Sequence, residues 1–320
     1  MLHVVKEQAE DYNYFVSEVT DLVKEKMGSD YTVRIYKVIK NNSLELDSLV
    51  MLKDGKNFAP NIYLMPYYNA YLEGSSVQEI ADRLCEIYKQ STIPMLRENF
   101  TYSFDDMKPF VIYRLVSYER NKKLLGTTPH IKYLDLALTF HCLVRNDNDG
   151  IGTIRITNEH MKLWNTSLTE ISALAKENTS KLFPHSIRSM DEVLRGMLQE
   201  EYLEGVGADL ADPIIDEFLH NSWNVKQQNM YVLTNQKGIN GATCMLYDNV
   251  LRDFADNIHS DLFILPSSIH EIILVPCQKD MKKEAFMEMV SEVNRTQVAG
   301  DEILSDRVYF YTRKENAIVM

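Results

Sequence analysis

The sequence lacks the features that identify most zinc-binding, redox and membrane-spanning proteins. It has 4 cysteines, and no two of them form a CxxC pair, which argues against zinc ribbons and thioredoxin-like sites. Each cysteine lies among apolar residues, so we expect buried, reduced thiols. No apolar run reaches the roughly 18–20 residues that span a bilayer, and the N-terminus does not have the pattern of a signal peptide. We therefore expect a cytoplasmic protein without a membrane segment.

Runs of positive charge are also missing. Lys and Arg total 34 against 46 Asp and Glu, and the resulting net charge of -12 repels phosphate backbones. This composition argues against nucleic acid as the main partner. Hydrophobic residues make up 45% of the chain and charged residues 25%, as in folded globular proteins. The chain can therefore bury a full core, and its 320 residues suggest two domains.

The usual motifs for nucleotides and metals do not occur. Neither the phosphate-binding loop GxxxxGK[ST] nor the dinucleotide fingerprint GxGxxG is found. The 8 histidines show no HExxH, HxH or HxxxH spacing, and the acidic turn at 147–149 lacks the glutamate that completes a calcium loop. We expect neither a metal nor a cofactor.

Three passages share one predicted order of elements, namely strand, polar turn, strand and helix. Their turns lie near residues 55, 149 and 239, and the first contains Asp54-Gly55, a pair typical of tight hairpins. In the third passage the returning strand is predicted at 242–247. Because hairpin signals outnumber strand–helix–strand crossovers, we predict an α+β fold with mainly antiparallel sheets covered by helices. Whether the three passages form a true repeat is left open.

A connection at 121–129 provides the predicted domain boundary. It contains Lys122, Lys123 and Gly126, which are typical of a connecting segment. We place an N-terminal α+β domain at 1–125 and a C-terminal α+β domain at 126–320.

The most unusual stretch contains Ser267, Ser268, His270 and Glu271 at the start of an apolar strand. A hydrolase-type centre would use a serine as nucleophile, His270 as base and Glu271 as its orienting partner. In a regular strand, however, Ser268 and His270 lie about 6.6 Å apart, and Glu271 points to the opposite face. We interpret the stretch as a turn whose hydroxyls bond nearby amides, with ligand binding and catalysis as alternatives.

A second candidate site is the loop that contains Asn235, Gly238, Asn240 and Gly241. Glycines among amide side chains can expose backbone N–H groups to an anion, which predicts a ligand-binding loop. A simple hairpin turn explains the same glycines. If this loop lies beside His270 in space, the two stretches form one site.

Several stretches resemble a bacterial family known as domain of unknown function 5688, with a fainter likeness to the 1444 family in the C-terminal third. The matching stretches are 113–121, 129–138, Asn178-Thr179, 182–184, 231–235, Gly241-Ala242, Tyr247, Val250-Leu251 and 266–271. The resemblance implies a bacterial, cytoplasmic, accessory protein. It transfers no catalytic residue, since the family has no established activity.

We predict from these patterns a non-enzymatic protein that binds a macromolecular partner or a small ligand. The alternative is a hydrolase-type enzyme with a site at the 235–241 and 267–271 loops. Convergence of the two loops on a concave pocket with a perturbed His270 would favour the enzyme, whereas a His270 buried in a strand with both ring nitrogens satisfied would argue against it.

Overall fold

Helices and antiparallel strands make up the computed structural model, which describes residues 2–56, 59–90, 103–147, 150–203, 230–279 and 281–320. All strand pairs in these ranges are antiparallel, which confirms the predicted α+β fold. The chain divides into two compact units, Met1–Arg97 and Glu98–Met320. Within the described ranges, no helix is both long and apolar enough to cross a bilayer.

The N-terminal unit packs helices on a three-stranded sheet of order β1-β2-β3. Its elements are α1 (Leu2–Met27), β1 (Tyr31–Ile39), β2 (Glu45–Lys53), β3 (Ile62–Tyr63), α2 (Met65–Leu72) and α3 (Val77–Gln90). Its core contains Phe15, Leu49 and Leu84, all fully buried. The predicted Asp54-Gly55 turn is present, with Gly55 at a φ of +78°, and it follows β2 directly.

The C-terminal unit contains a four-stranded sheet in which β6 is central. The strands are β4 (Val111–Ser117), β5 (His130–Tyr133), β6 (Leu136–Asp147) and β7 (Gly150–Arg155). β4 pairs with one side of β6, and β5 and β7 pair with successive parts of the other side. The accompanying helices are α4 (Phe104–Met107), α5 (Lys122–Leu125), α6 (Asn158–Leu163) and α7 (Leu168–Leu182).

A six-stranded sheet of order β13-β12-β10-β11-β9-β8 completes this unit. Its strands are β8 (His185–Ser189), β9 (Tyr231–Asn235), β10 (Leu262–Leu265), β11 (Ile272–Pro276), β12 (Tyr309–Thr312) and β13 (Ala317–Val319). The helices of this part are α8 (Met190–Leu203), α9 (Val250–Asn257) and α10 (Lys283–Thr296).

The compact units divide at a different place from the predicted boundary. β4 lies before residue 125, yet it pairs with β6 over its whole length, from Val111↔Cys142 to Ser117↔Leu136. Strand pairing therefore keeps residues 111–117 in the C-terminal unit, and the division falls at Arg97 and Glu98.

The predicted returning strand at 242–247 is wrong. Residues Gly241–Leu246 form a 3₁₀ helix instead. The reason is that β9 is paired on both sides, with β8 and with β11, so no edge is free to accept a hairpin partner. The order strand, turn, strand and helix therefore does not occur three times.

The cysteines follow their predicted environment with one exception. Cys85, Cys142 and Cys244 are buried free thiols. Cys277 is free but exposed, because β11 ends at Pro276 and the chain leaves the sheet there.

A partly buried carboxylate links the two sheets of the C-terminal unit. Asp135, between β5 and β6, accepts hydrogen bonds from the Tyr309 hydroxyl on β12 and from the Ser305 hydroxyl at 2.7 Å. Burial, and then the Asp135 charge, raises the pKa of Tyr309 above its usual value of 10.0.

Because of this arrangement, we expect the free energy of unfolding to fall at alkaline pH. Below about pH 10 the Tyr309 phenol is protonated in both the folded and the unfolded state. Above that pH the unfolded state loses a proton that the folded state keeps, so the free energy of unfolding falls by up to about 1.4 kcal/mol per pH unit. We expect Tyr309→Phe to show a shallower fall than wild type in urea denaturation between about pH 9 and 11.

Tyr231→Phe is the matched control, because the Tyr231 hydroxyl makes no hydrogen bond within the described ranges. An equally steep fall in the Tyr309→Phe protein would contradict the linkage.

Candidate functional site

The loop at 235–241 is organised from within by Asn235, which is 3% exposed. Its amide nitrogen donates to the Ile239 carbonyl at 2.8 Å, and its Oδ1 accepts from the Lys237 N–H at 2.9 Å. The Gln236 N–H donates to the Pro184 carbonyl and the Gly238 N–H to the Asn235 carbonyl. These amides are therefore used inside the protein, and the loop does not present them to an anion as the glycine pattern suggested.

Gly241 brings this loop into contact with the His270 stretch. A Cβ atom on Gly241 would lie 2.1 Å from Thr234 Oγ1 and 2.4 Å from the His270 carbonyl oxygen. The Thr234 hydroxyl donates to that same carbonyl at 2.8 Å. Only glycine leaves room for this approach, so the role of Gly241 is close packing. Gly238, at a φ of +65°, is the residue that makes the turn.

The ring of His270 has a neighbour at each nitrogen. Nδ1 accepts a hydrogen bond from the Asn240 N–H at 3.3 Å. Nε2 lies 3.3 Å from the Glu302 carboxylate. Asn240 adopts a left-handed conformation with a φ of 54°. With Nδ1 accepting, the neutral ring carries its proton on Nε2, facing Glu302.

The two serines serve the backbone of the turn. Ser268 is 5% exposed, and its Oγ accepts from the His270 backbone N–H at 3.0 Å. The carbonyl of Ser267 accepts from the Leu304 N–H at 2.8 Å. Neither hydroxyl bonds to the His270 ring in the described ranges. A nucleophile–base pair is therefore not assembled in this arrangement.

The carboxylate beside His270 is Glu302 and not Glu271. The Glu271 side chain makes no hydrogen bond or ion pair to any part of the chain that the structure describes. Glu302 reaches the ring because the 302–305 segment pairs with the turn, through Ile269 N–H to Glu302 carbonyl at 2.9 Å and a Ser268↔Ile303 bridge. No spacing in the sequence signals this long-range pairing.

An open groove lies on the other side of the loop, between β8, α8 and residues 234–238. Its volume is about 640 Å³, within the range of about 300–1,000 Å³ typical of ligand sites. It is lined by Ser186, Arg188, Val193, Gly196, Met197, Thr234, Asn235, Gln236, Lys237 and Gly238. Of the predicted ligand-binding residues, Asn235 and Gly238 line the groove, whereas Asn240 and Gly241 face His270.

Sequence reasoning missed the half of this groove that β8 and α8 provide. Ser186 and Arg188 share one face of β8 because alternate residues of a strand point the same way. They come next to the loop only because β8 pairs with β9, through Ser186↔Thr234 and Arg188↔Val232. Within the described ranges, no three or more His, Cys, Asp and Glu side chains form a group that could hold a metal ion.

Comparison with known families matches residues 12–313 to the family described as family of unknown function (DUF5688). No curated protein and no solved structure matches the chain. The likeness to the 1444 family stays a prediction.

The Gly241 contact makes a sharp prediction about stability. Gly241→Ala places a methyl group against Thr234 Oγ1 and the His270 carbonyl, so we expect a loss of about 1–3 kcal/mol in the free energy of unfolding. Urea denaturation measures it.

Gly196→Ala is the matched control. Nothing lies within 4 Å of the added methyl group in α8, and alanine favours a helix by up to about 1 kcal/mol over glycine. Equal stability of Gly241→Ala and wild type would show that the two stretches do not pack as described.

Proposed function

Because the chain belongs to the DUF5688 family, which has no known function, we propose a function from the geometry of its site: the C-terminal unit binds a small organic anion in the groove between β8, α8 and residues 234–238. This proposal keeps the small-ligand half of the prediction made from the sequence.

The charge of the groove lining is the observation that carries the proposal. Arg188 and Lys237 both line it, and its described lining contains no Asp or Glu. Arg188 is exposed and forms no ion pair within the described ranges. The Lys237 ammonium lies 3.4 Å from the Asp147 backbone carbonyl, which leaves its charge uncompensated by a carboxylate of the groove lining. In a chain of net charge -12, two such cations in one groove are an unusual local balance. They favour a carboxylate or phosphate group.

The rest of the lining indicates the other features of the ligand. The Ser186 hydroxyl and the Gln236 amide offer hydrogen bonds beside the cations. Val193 and Met197 supply apolar surface, and the space beside Gly196 is open. An anion with an apolar body fits these surfaces better than an inorganic ion.

A binding role is also supported by the state of His270. Its ring nitrogens face the Asn240 N–H and the Glu302 carboxylate, and the Ser268 hydroxyl accepts from the His270 backbone N–H instead of bonding to the ring. The hydrolase-type alternative requires His270 to leave these neighbours before it could act as a base. We further propose a bacterial, cytoplasmic setting, which suits four free cysteines.

Matched pairs of charged and neutral compounds test the proposal. We expect benzoate or adenosine monophosphate to raise the melting temperature, and their neutral counterparts benzamide and adenosine to leave it unchanged. A ligand at 100 times its Kd adds about 2.7 kcal/mol of stability. In the Arg188→Gln/Lys237→Gln protein, affinity should fall at least about tenfold, since charged hydrogen bonds are lost.

Lys279→Gln/Lys314→Gln is the matched control, because it removes the same charge from exposed positions outside the groove. If neither acid stabilises the wild-type protein, the groove does not bind anions of this kind. Hydrolysis of p-nitrophenyl acetate that is lost in both Ser268→Ala and His270→Gln would support the enzyme alternative instead.

A further inference from the structure

Three cationic or titratable side chains lie on one face of the four-stranded sheet. Arg114 on β4 is paired with Thr139 on β6, and His141 on β6 is paired with Arg155 on β7. Directly paired residues share a face of an antiparallel sheet, and so do residues two apart on one strand. Arg114, His141 and Arg155 therefore lie together, and we call them the sheet cation cluster.

Within this cluster, Arg114 has a buried N–H group without a hydrogen-bond partner. Its Nε is buried and has no hydrogen-bond partner, and no other hydrogen bond of the guanidinium occurs within the described ranges. Burial, and then the charge of Arg155, lowers the pKa of Arg114 to about 10, so the group is still charged at neutral pH. A partly buried cation with an unpaired N–H group destabilises a fold, which calls for an explanation.

His141 is in a similar environment. Burial, followed by the charges of Arg114 and Arg155, holds its pKa well below the usual 6.5. Its Nε2 lies 3.1 Å from the Thr139 hydroxyl, and Nδ1 has no hydrogen bond to the described part of the chain. When the Thr139 hydroxyl donates to Nε2, the neutral ring presents an N–H at Nδ1.

No Asp or Glu pairs with Arg114 or His141 in the described ranges. The chain carries 46 acidic residues, so acidic side chains are plentiful, yet none in those ranges compensates these two groups. All three residues of the cluster keep part of their surface accessible, so solvent and small ions can reach them.

We propose that the sheet cation cluster binds an oxyanion, either a phosphate or a carboxylate group, with Arg114 as the principal contact. A planar guanidinium can bond two oxygens of such a group, and the neutral imidazole of His141 can add a third donor. The anion would supply a negative charge beside Arg114 and His141.

This site is separate from the groove of the proposed function and does not depend on it. Arg188 and Lys237 line the groove, whereas the cluster lies on the other sheet of the same unit. Arg114 also borders a cavity of about 10 Å³ behind Asn235 and Asn240. That cavity has room for about one water molecule, so an anion has to approach the cluster from its accessible side.

Phosphate and acetate, each compared with sodium chloride at equal ionic strength, test the proposal by thermal shift. We expect a saturable rise in melting temperature for the wild-type protein. Phosphate acting alone would identify a phosphate site, and acetate acting as well would identify a site for carboxylates. No rise with either ion would overturn the proposal.

The Arg114→Met substitution distinguishes anion binding by Arg114 from a purely structural role of this residue. We expect the protein to melt higher than wild type without anion, because a partly buried charge without a partner is gone. We also expect its anion affinity to fall at least about tenfold. A phosphate response that persists unchanged in Arg114→Met would overturn the proposal. The Arg188→Gln/Lys237→Gln protein should keep this response, which distinguishes failure of the groove from failure of the cluster.

A spectroscopic measurement on the wild-type protein covers the case in which Arg114→Met does not fold. With ¹³C-labelled histidine, phosphate should shift the His141 ring signals in a saturable way. The signals of His259, exposed in a turn after α9, should stay in place. His141 ring signals that do not shift when phosphate is added would overturn the proposal.

Discussion

The approach of Gly241 to Thr234 and His270 is the contact on which the C-terminal unit depends. It joins the end of β9 to the turn before β11, with the Thr234 hydroxyl on the His270 carbonyl as the polar bond between them. Any side chain at 241 would separate these backbones. Because the loop at 235–241 is held in this way, its outer side can form one wall of a groove while its inner side faces His270.

Buried hydroxyls and one carboxylate extend this arrangement through the rest of the unit. The Thr179 hydroxyl on α7 accepts from the Tyr113 N–H of β4, and the Tyr247 hydroxyl donates to the Phe183 carbonyl. Asp135 likewise accepts hydrogen bonds from the Ser305 and Tyr309 hydroxyls, and so links the two sheets. Most buried polar groups here thus serve internal hydrogen bonds, as buried polar groups must when water is excluded. Arg114 departs from that rule, and this departure is what makes it informative.

The groove and the sheet cation cluster rest on the same physical reasoning. Each brings cations together on a protein whose overall charge is strongly negative. The groove lining contains no Asp or Glu, and no acidic side chain pairs with Arg114 or His141 in the described ranges. The groove adds apolar surface and open volume, which suits an organic anion. The cluster consists of two guanidinium groups and an imidazole, and it suits a compact charged group.

The sequence by itself determined the local features of this protein. Asp54-Gly55 makes its predicted turn, and the strands pair antiparallel as the hairpin signals predicted. Before α3, the side chains of Ser76 and Glu79 each accept from the other's backbone N–H, at 3.2 and 2.9 Å. Only the tertiary structure decided that residues 242–247 form no strand, and that Glu302 is the carboxylate beside His270. Turns and caps depend on residues a few positions apart, which a sequence displays directly. Edge pairing and side-chain neighbours depend on elements far apart in the chain, whose positions packing alone fixes.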